Sequence, residues 1–172
     1  MPTVFLGLGT NLGDREANLR AALRRLREVV RIEAVSFVYE SEPVGYRPQP
    51  DFWNLVVRAG TQLEPLALLG AVRGIERALG RKPSFRNAPR VIDIDLLLYD
   101  DVQIDLPELT LPHPRMLERA FVLKPLMELA PDVVHPRTRR TIREHAAGAG
   151  QLERAEPLFP GERLLGGSEA AP

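Results

Sequence analysis

The stretch Val35–Ala59, VSFVYESEPVGYRPQPDFWNLVVRA, decides the fold. Val35 to Glu40 reads as a strand. Ser41 to Pro50 is a loop, because Pro43, Pro48, Pro50 and Gly45 forbid a regular element. Phe52 to Ala59 reads as a second strand of the pair. Period-two geometry puts Phe52, Asn54 and Val56 on one face and Trp53, Leu55 and Val57 on the other. A hairpin here makes the sheet antiparallel or mixed and argues against a doubly wound parallel sheet.

Upstream, Thr3 to Leu8 reads as a strand in which Val4, Leu6 and Leu8 alternate with Thr3, Phe5 and Gly7. Gly7 to Gly13, GLGTNLG, reads as a tight turn. Its G-x-G-x-x-x-G spacing and the hairpin that follows do not fit a dinucleotide fingerprint. Asp14 is an N-cap for a helix to about Val30, with Leu19, Ala22, Leu23, Leu26 and Val30 on one face. Arg20, Arg24, Arg25, Arg27 and Arg31 lie largely elsewhere, as a solvated surface. Downstream, Pro65 to Leu79 is a second helix, with Pro near its start and Gly80 past its end. Arg81 to Arg90 is a loop and Val91 to Tyr99 an apolar strand. A loop runs through Pro107 to Arg115, and short helices follow around Phe121–Leu129 and Thr141–Ala147. Strand–helix–strand–strand–helix–strand is the ferredoxin-like βαββαβ order. The expected class is α+β: a mainly antiparallel sheet flanked by helices, with a C-terminal extension. Residues 1–160 form the expected domain, and residues 161–172 read as a frayed tail.

Composition narrows the chemistry. The 172 residues carry 23 basic and 23 acidic side chains and no net charge, so no whole-molecule field for nucleic acid or an anionic membrane is expected. The absence of Cys excludes disulfides, thiolate metal sites and Cys nucleophiles. The three His, at 113, 135 and 145, form no HExxH pair. No apolar run approaches a membrane span, and MPTVFLGLGT lacks a basic signal-peptide start. A cytoplasmic protein is expected. No Gly-Lys-Ser/Thr occurs, so phosphates would be held without a Walker A loop.

Chemistry concentrates in Arg81–Asp101, RKPSFRNAPRVIDIDLLLYDD. Its first ten residues hold Arg81, Lys82, Arg86 and Arg90 and no acid. Asp93 and Asp95 follow on one strand face, about 7 Å apart along the chain. Two carboxylates in an apolar strand repel each other, and a divalent cation resolves the conflict. Mg²⁺ suits them, because it takes carboxylates plus phosphate oxygens, and the arginines would hold the phosphates. The bland alternative is two solvent-facing acids paired with those arginines. A second patch joins the loop Ser41–Pro50 to Phe52 and Asn54. Phe would stack a flat heteroaromatic ring and the amide would read its edge; otherwise Phe52 is core and Asn54 bonds loop backbone. In Thr110–Phe121, LTLPHPRMLERAF with Leu109, His113 could donate to a phosphate and Arg119 clamp one, although a lone His is more often a capping or core residue.

Taken together, four blocks resemble the 6-hydroxymethyl-7,8-dihydropterin pyrophosphokinase family of folate biosynthesis. They are LGLGTNLGDREANL, SEPVGYRPQPDFWNLVV, GIERALGRKPSFRNAPRVIDIDLLLYDD and LTLPHPRMLERAFVLKPLMELAPD, between about Val4 and Pro136. The resemblance implies an ATP-dependent diphosphotransferase that moves pyrophosphate from ATP to the pterin hydroxymethyl oxygen and releases AMP. It implies two Mg²⁺ ions bound with ATP, on Asp93 and Asp95, with Arg81 and Arg90 also catalytic. Ser41, Pro43, Val44, Phe52, Asn54 and Phe121 would bind pterin, the two rings forming a sandwich. Arg73, Glu76, Arg81, Arg86, Arg90, Thr110, His113 and Arg119 would bind ATP. The implied partners are ATP and 6-hydroxymethyl-7,8-dihydropterin, without nucleic acid or membrane, and the chain is expected to act as a monomer. The loops Ser41–Pro50 and Arg81–Ala88 are expected to close over the substrates. Pro83, Asn87 and Ala88 depart from the family's common pattern, which often has Arg at the first position and Trp-Gly at the other two.

Three other readings compete. A two-metal nucleotidyltransferase also uses D-x-D on a strand, but wants a Gly-Ser helix start about ten residues earlier. A ferredoxin-like RNA-binding module wants sheet-face aromatics and a basic sheet, whereas Asp93 and Asp95 would repel a phosphate backbone. A small-molecule regulatory module would not need two acids beside four basic residues.

Overall fold

A computed structural model of the protein describes residues 1–150 and 152–166. The chain forms β1 (Thr3–Thr10), α1 (Arg15–Leu26), β2 (Arg31–Val35), β3 (Phe37–Ser41), β4 (Phe52–Gly60), α2 (Pro65–Ala78) and β5 (Asp93–Tyr99). It continues with β6 (Ile104–Asp105), β7 (Thr110–Leu111), α3 (Ala120–Leu129), α4 (Ile142–Gly148), β8 (Ala155–Pro160) and α5 (Arg163–Gly166). The main sheet runs β5-β1-β4-β3-β8, and β2 also pairs with β4. Every pairing is antiparallel. The ferredoxin-like order expected from the sequence is therefore present, with one strand added beyond β3.

The expected strand Val35–Glu40 corresponds to β3; β2 precedes it, sharing only Val35 with the expectation, and the two are separated by a break at Ser36. The Ser36 hydroxyl accepts the Val56 N–H at 2.9 Å and donates to the Phe37 carbonyl at 2.8 Å. The Phe37 N–H is taken up by the Glu128 carboxylate, at 3.1 Å to Oε2. The irregularity thus leaves these backbone groups satisfied.

Side-chain alternation splits the core in two. Val4, Leu6, Leu8, Leu55, Val57, Ile94 and Leu96 face α1 and α2, where Leu19, Leu23, Leu26, Leu68 and Val72 meet them. Phe5, Val56 and Leu97 face α3, packing against Val122 and Leu126. The face toward α3 also carries Asn54 and the acids of β5, because Gly9 stands beside Asn54 on β4 and Asp93 on β5 in the register.

Several boundaries differ from the sequence expectation. β1 runs through Thr10, so Gly7 and Gly9 are strand residues; within GLGTNLG only Gly13 has positive φ, at +76°. α1 ends at Leu26, where the Arg27 N–H bonds the carbonyls of Leu23 and Arg25, yet the turn beyond still buries Val30. β5 begins at Asp93, because the Val91 carbonyl instead accepts the Thr10 hydroxyl at 2.6 Å. Strand β7 falls within the expected loop Pro107–Arg115, while β6 and β8 occupy stretches to which the sequence reading assigned no element.

The frayed tail from Gly161 is corrected over residues 161–166. The Gly161 N–H bonds the Ser36 carbonyl at 3.0 Å, and α5 buries Leu164 in the core shared with α1. The sequence reading failed there because a four-residue helix carries too little periodicity to register. The rest of that expected tail lies outside the described residues.

Candidate active site

Asp93 and Asp95 stand at the start of β5, an edge strand, one residue either side of the core residue Ile94. Asp93 is held by two arginines from the preceding loop. Arg81 Nη1 donates to Oδ1 at 2.8 Å and Arg90 Nη1 to Oδ2 at 3.2 Å. Glu76, on the buried face of α2, sets this arrangement. Its Oε2 accepts the Ile94 N–H at 2.8 Å and also accepts from Arg81. Burial first, and then repulsion from Asp93, raise its pKa, while the Ile94 N–H and Arg81 hold it down.

Asp95 has no such partner. Its nearest cation-capable neighbour is His113 Nε2, 4.0 Å from Oδ2. His113 Nδ1 accepts the Arg115 N–H at 3.1 Å, which places the neutral ring's proton on Nε2. Burial and then Arg119 push the His113 pKa down to about 4, so the His113–Asp95 approach is not an ion pair near neutrality. Asp95 keeps 34% of its side-chain surface open to the cleft. The surrounding walls nevertheless desolvate it, and together with the Asp93 charge they push its pKa up to about 7.

Two pockets meet at these acids. The first is lined by Gly7, Gly9, Ser41, Val44, Phe52, Asn54, Asn87, Arg119 and Phe121, together with Arg90, Asp93 and Asp95. Asn54 Nδ2 donates to Ser41 Oγ at 2.7 Å, which orients the buried amide. A Cβ on Gly9 would come within 2.7 Å of Asn54 Oδ1, so glycine keeps the floor open. The second pocket, a cleft of about 940 Å³, runs along β5. Arg73, Glu76, Arg81, Lys82, Thr110 and His113 line it, again with Arg90, Asp93 and Asp95.

Loops 42–51 and 81–90 join above the first pocket. Buried Asn11 ties both: its Nδ2 donates to Gln49 Oε1 and the Pro50 carbonyl, each at 2.8 Å, and its Oδ1 accepts the Arg90 N–H at 2.9 Å. Gln49 Nε2 donates to the Asn87 carbonyl at 2.8 Å. Tyr46 and Phe85 meet edge-on, ring centres 5.1 Å apart. Asn87 adopts φ +62°, a left-handed conformation that Asn tolerates better than most residues.

Most residues expected at the site converge. Ser41, Val44, Phe52, Asn54 and Phe121 line the first pocket; Arg73, Glu76, Arg81, Thr110 and His113 line the second. Three differ. Pro43 is buried outside the pocket lining, Arg86 is exposed and lines neither pocket, and Arg119 lines the first pocket rather than the second. Its guanidinium lies 5.5 Å from the Phe121 ring centre. Gly7, Gly9 and Asn11 were missed as functional positions. Glycines two apart inside an alternating strand were the available signal for the first two.

Among the described residues no three His, Asp or Glu side chains gather as a metal site. Asp93 and Asp95 therefore suit a hard divalent cation only when ligand oxygens and water complete its shell. The unpartnered Asp95 carboxylate fits that role.

Residues 5–131 match the model of a family described as 7,8-dihydro-6-hydroxymethylpterin-pyrophosphokinase. The chain is 44% identical over 144 residues to the 2-amino-4-hydroxy-6-hydroxymethyldihydropteridine pyrophosphokinase of Aquifex aeolicus, covering 84% of this chain and 90% of that protein. It is 44% identical over 131 residues to the Bacillus subtilis protein of the same name, covering 75% and 78%. Against the folic acid synthesis protein FOL1 of Dictyostelium discoideum identity is 44% over 133 residues, spanning 77% of this chain and 20% of that one. A solved structure of Plasmodium falciparum HPPK-DHPS with pteroate superposes with a TM-score of 0.71 at 17% identity, over 86% of this chain and 42% of that one. This last likeness shows the fold alone.

Proposed function

This chain belongs to the 7,8-dihydro-6-hydroxymethylpterin-pyrophosphokinase family, and we propose that its two pockets divide the family's reaction between them. It is a pyrophosphokinase of folate biosynthesis, transferring pyrophosphate from ATP to the hydroxymethyl oxygen of 6-hydroxymethyl-7,8-dihydropterin and releasing AMP. One observation carries the assignment of pockets: an aromatic pocket and a basic cleft share Arg90, Asp93 and Asp95 as their common boundary.

The pterin occupies the first pocket. Phe52 and Phe121 stack its ring, and Asn54, oriented by Ser41, bonds its amide edge. ATP lies in the second pocket with its phosphates toward the acids. Arg73, Arg81, Arg90, Lys82 and the Nε2–H of His113 offer donors to the phosphate oxygens. Arg81 and Arg90 then exchange Asp93 for phosphate, which frees that carboxylate. Asp93 and Asp95 would hold Mg²⁺, two ions on this reading, and the bound metal would neutralise phosphate charge and favour ionisation of the alcohol. The hydroxymethyl oxygen attacks the β phosphorus, the bond to the α-phosphate oxygen breaks, and AMP leaves. Catalysis is positioning and charge neutralisation, for which a strong protein base is unnecessary. The joined loops exclude water above the acids. The chain acts as a monomer on these small-molecule substrates.

Nucleotide analysis after incubation with Mg–ATP and the reduced hydroxymethylpterin tests this reading. AMP that depends on both pterin and Mg²⁺, without ADP, is the expected result. ADP would mean γ-phosphoryl transfer and overturn the phosphate register.

A further inference from the structure

We propose that Glu153, in the segment just before β8 and outside the family-model span, is a positioning residue for the pterin wall; this rests on reading the first pocket as the pterin site. α3 brings Arg119 and Phe121 to that pocket, yet its N-terminus has no side-chain cap of its own. Helix-starting N–H groups need acceptors, and a carboxylate there also complements the helix dipole. Glu153 supplies one from 33 residues away: its Oε1 accepts the Ala120 N–H at 3.0 Å. Ala120 lies between Arg119 and Phe121, so the bond fixes the backbone from which both side chains project.

Two further contacts join the same segment to the same wall, and a third reaches the opposite side of the pocket. Lys124, one turn along α3, donates from Nζ to the Ala155 carbonyl at 2.6 Å. Ala155 and Leu152 pack in one apolar cluster with Tyr39, Ala120 and Phe121, supporting the ring. Arg154 bridges the two ends of loop 42–51, with Nη2 3.0 Å from Asp51 Oδ2 and Nε 3.4 Å from Glu42 Oε1. Those ends adjoin Phe52 and Ser41. Exposed ion pairs contribute little singly, so the Glu153 cap, which meets an otherwise uncapped N–H, is the decisive contact. The chain at Leu152–Ala155 thus refers both sides of the aromatic pocket to one four-residue segment.

Glu153→Ala and Glu153→Gln in the full chain test the proposal, with Asn54→Ala as a control. The readouts are affinity for the hydroxymethylpterin in the presence of Mg²⁺ and α,β-methylene-ATP, affinity for that analogue alone, and the melting temperature. Glu153→Ala is expected to weaken pterin binding about tenfold, the scale of a lost helix cap, and to leave analogue affinity unchanged. Glu153→Gln, which keeps an acceptor oxygen, is expected to restore most of the loss. Wild-type pterin affinity in Glu153→Ala overturns the proposal, as does an equal loss for both ligands, which a merely structural role would produce. Should Glu153→Ala fail to fold, Glu153→Asp, which draws the acceptor back by one methylene, takes its place: pterin affinity lowered with analogue affinity held supports the proposal, and wild-type pterin affinity or a loss confined to stability overturns it. If Asn54→Ala binds pterin like wild type, the pocket assignment itself has failed and the proposal falls with it.

Discussion

Asp93 and Asp95 are two residues apart and chemically alike, but their environments separate them. Asp93 is neutralised by Arg81 and Arg90, whereas Asp95 faces the cleft without a hydrogen-bond partner. Raising a carboxylate's folded-state pKa means that the folded form holds the proton longer than the unfolded form. The Asp95 contribution to stability is therefore greatest below the unfolded carboxylate range, and falls as pH rises toward about 7. His113 acts oppositely: its depressed value favours the fold above about 6.5 and loses that favour as pH falls toward about 4. Comparing melting temperatures of wild type and Asp95→Asn from pH 4 to 8 isolates the first effect. The variant should gain on wild type as pH rises, and a constant difference would contradict the assignment. Turnover by Asp95→Asn should drop by at least about a hundredfold, the scale of losing a charge-stabilising group. Near-wild-type AMP formation would remove Asp95 from the metal site.

At the scale of elements, β1 is the floor on which the two pockets are arranged. Gly7 and Gly9 place bare backbone between the acids of β5 and the amide of β4. Gly9→Ala would drive a methyl into Asn54 Oδ1, which must swing away from Ser41. Pterin affinity should fall by about tenfold or more, the worth of a displaced buried hydrogen bond, with nucleotide-analogue affinity held. Equal binding of both ligands in Gly9→Ala and wild type would show that the floor has slack. The loops above the floor were legible as Pro- and Arg-rich irregular segments, but their mutual contacts were not. Tyr46 meets Phe85 across 39 residues of chain, and no local pattern encodes such a pair. Substrate binding should slow amide exchange in residues 42–50 and 81–88 together, and protection of only one loop would contradict their acting as a joined cover.

For the whole molecule, the C-terminal segment closes the sheet edge beyond β3 and brings α5 against α1. Leu164 is almost fully buried there. Leu164→Ala should destabilise the protein by about 2–4 kcal/mol, the transfer and cavity cost of a core leucine. Chemical denaturation measures this directly, and an unchanged midpoint would return residues 161–166 to the role of a dispensable tail. No helix among the described residues is long and apolar enough to cross a membrane.

Local chemistry in the sequence was enough for the βαββαβ order, the paired acids and the basic loop. Period-two alternation, helix caps and Pro–Gly punctuation act over a few residues, so they can be read along the chain. The same holds for Phe52 and Asn54, which share a strand face by backbone geometry alone. Only the tertiary structure decided which acid is neutralised, where Arg119 turns, why Gly9 is glycine and what caps α3. Each depends on groups distant in sequence: Glu76 on Arg81 and Ile94, Asn54 on Gly9, Glu153 on Ala120. Desolvation and hydrogen-bond competition arise from such packing, and one-dimensional spacing carries no record of them.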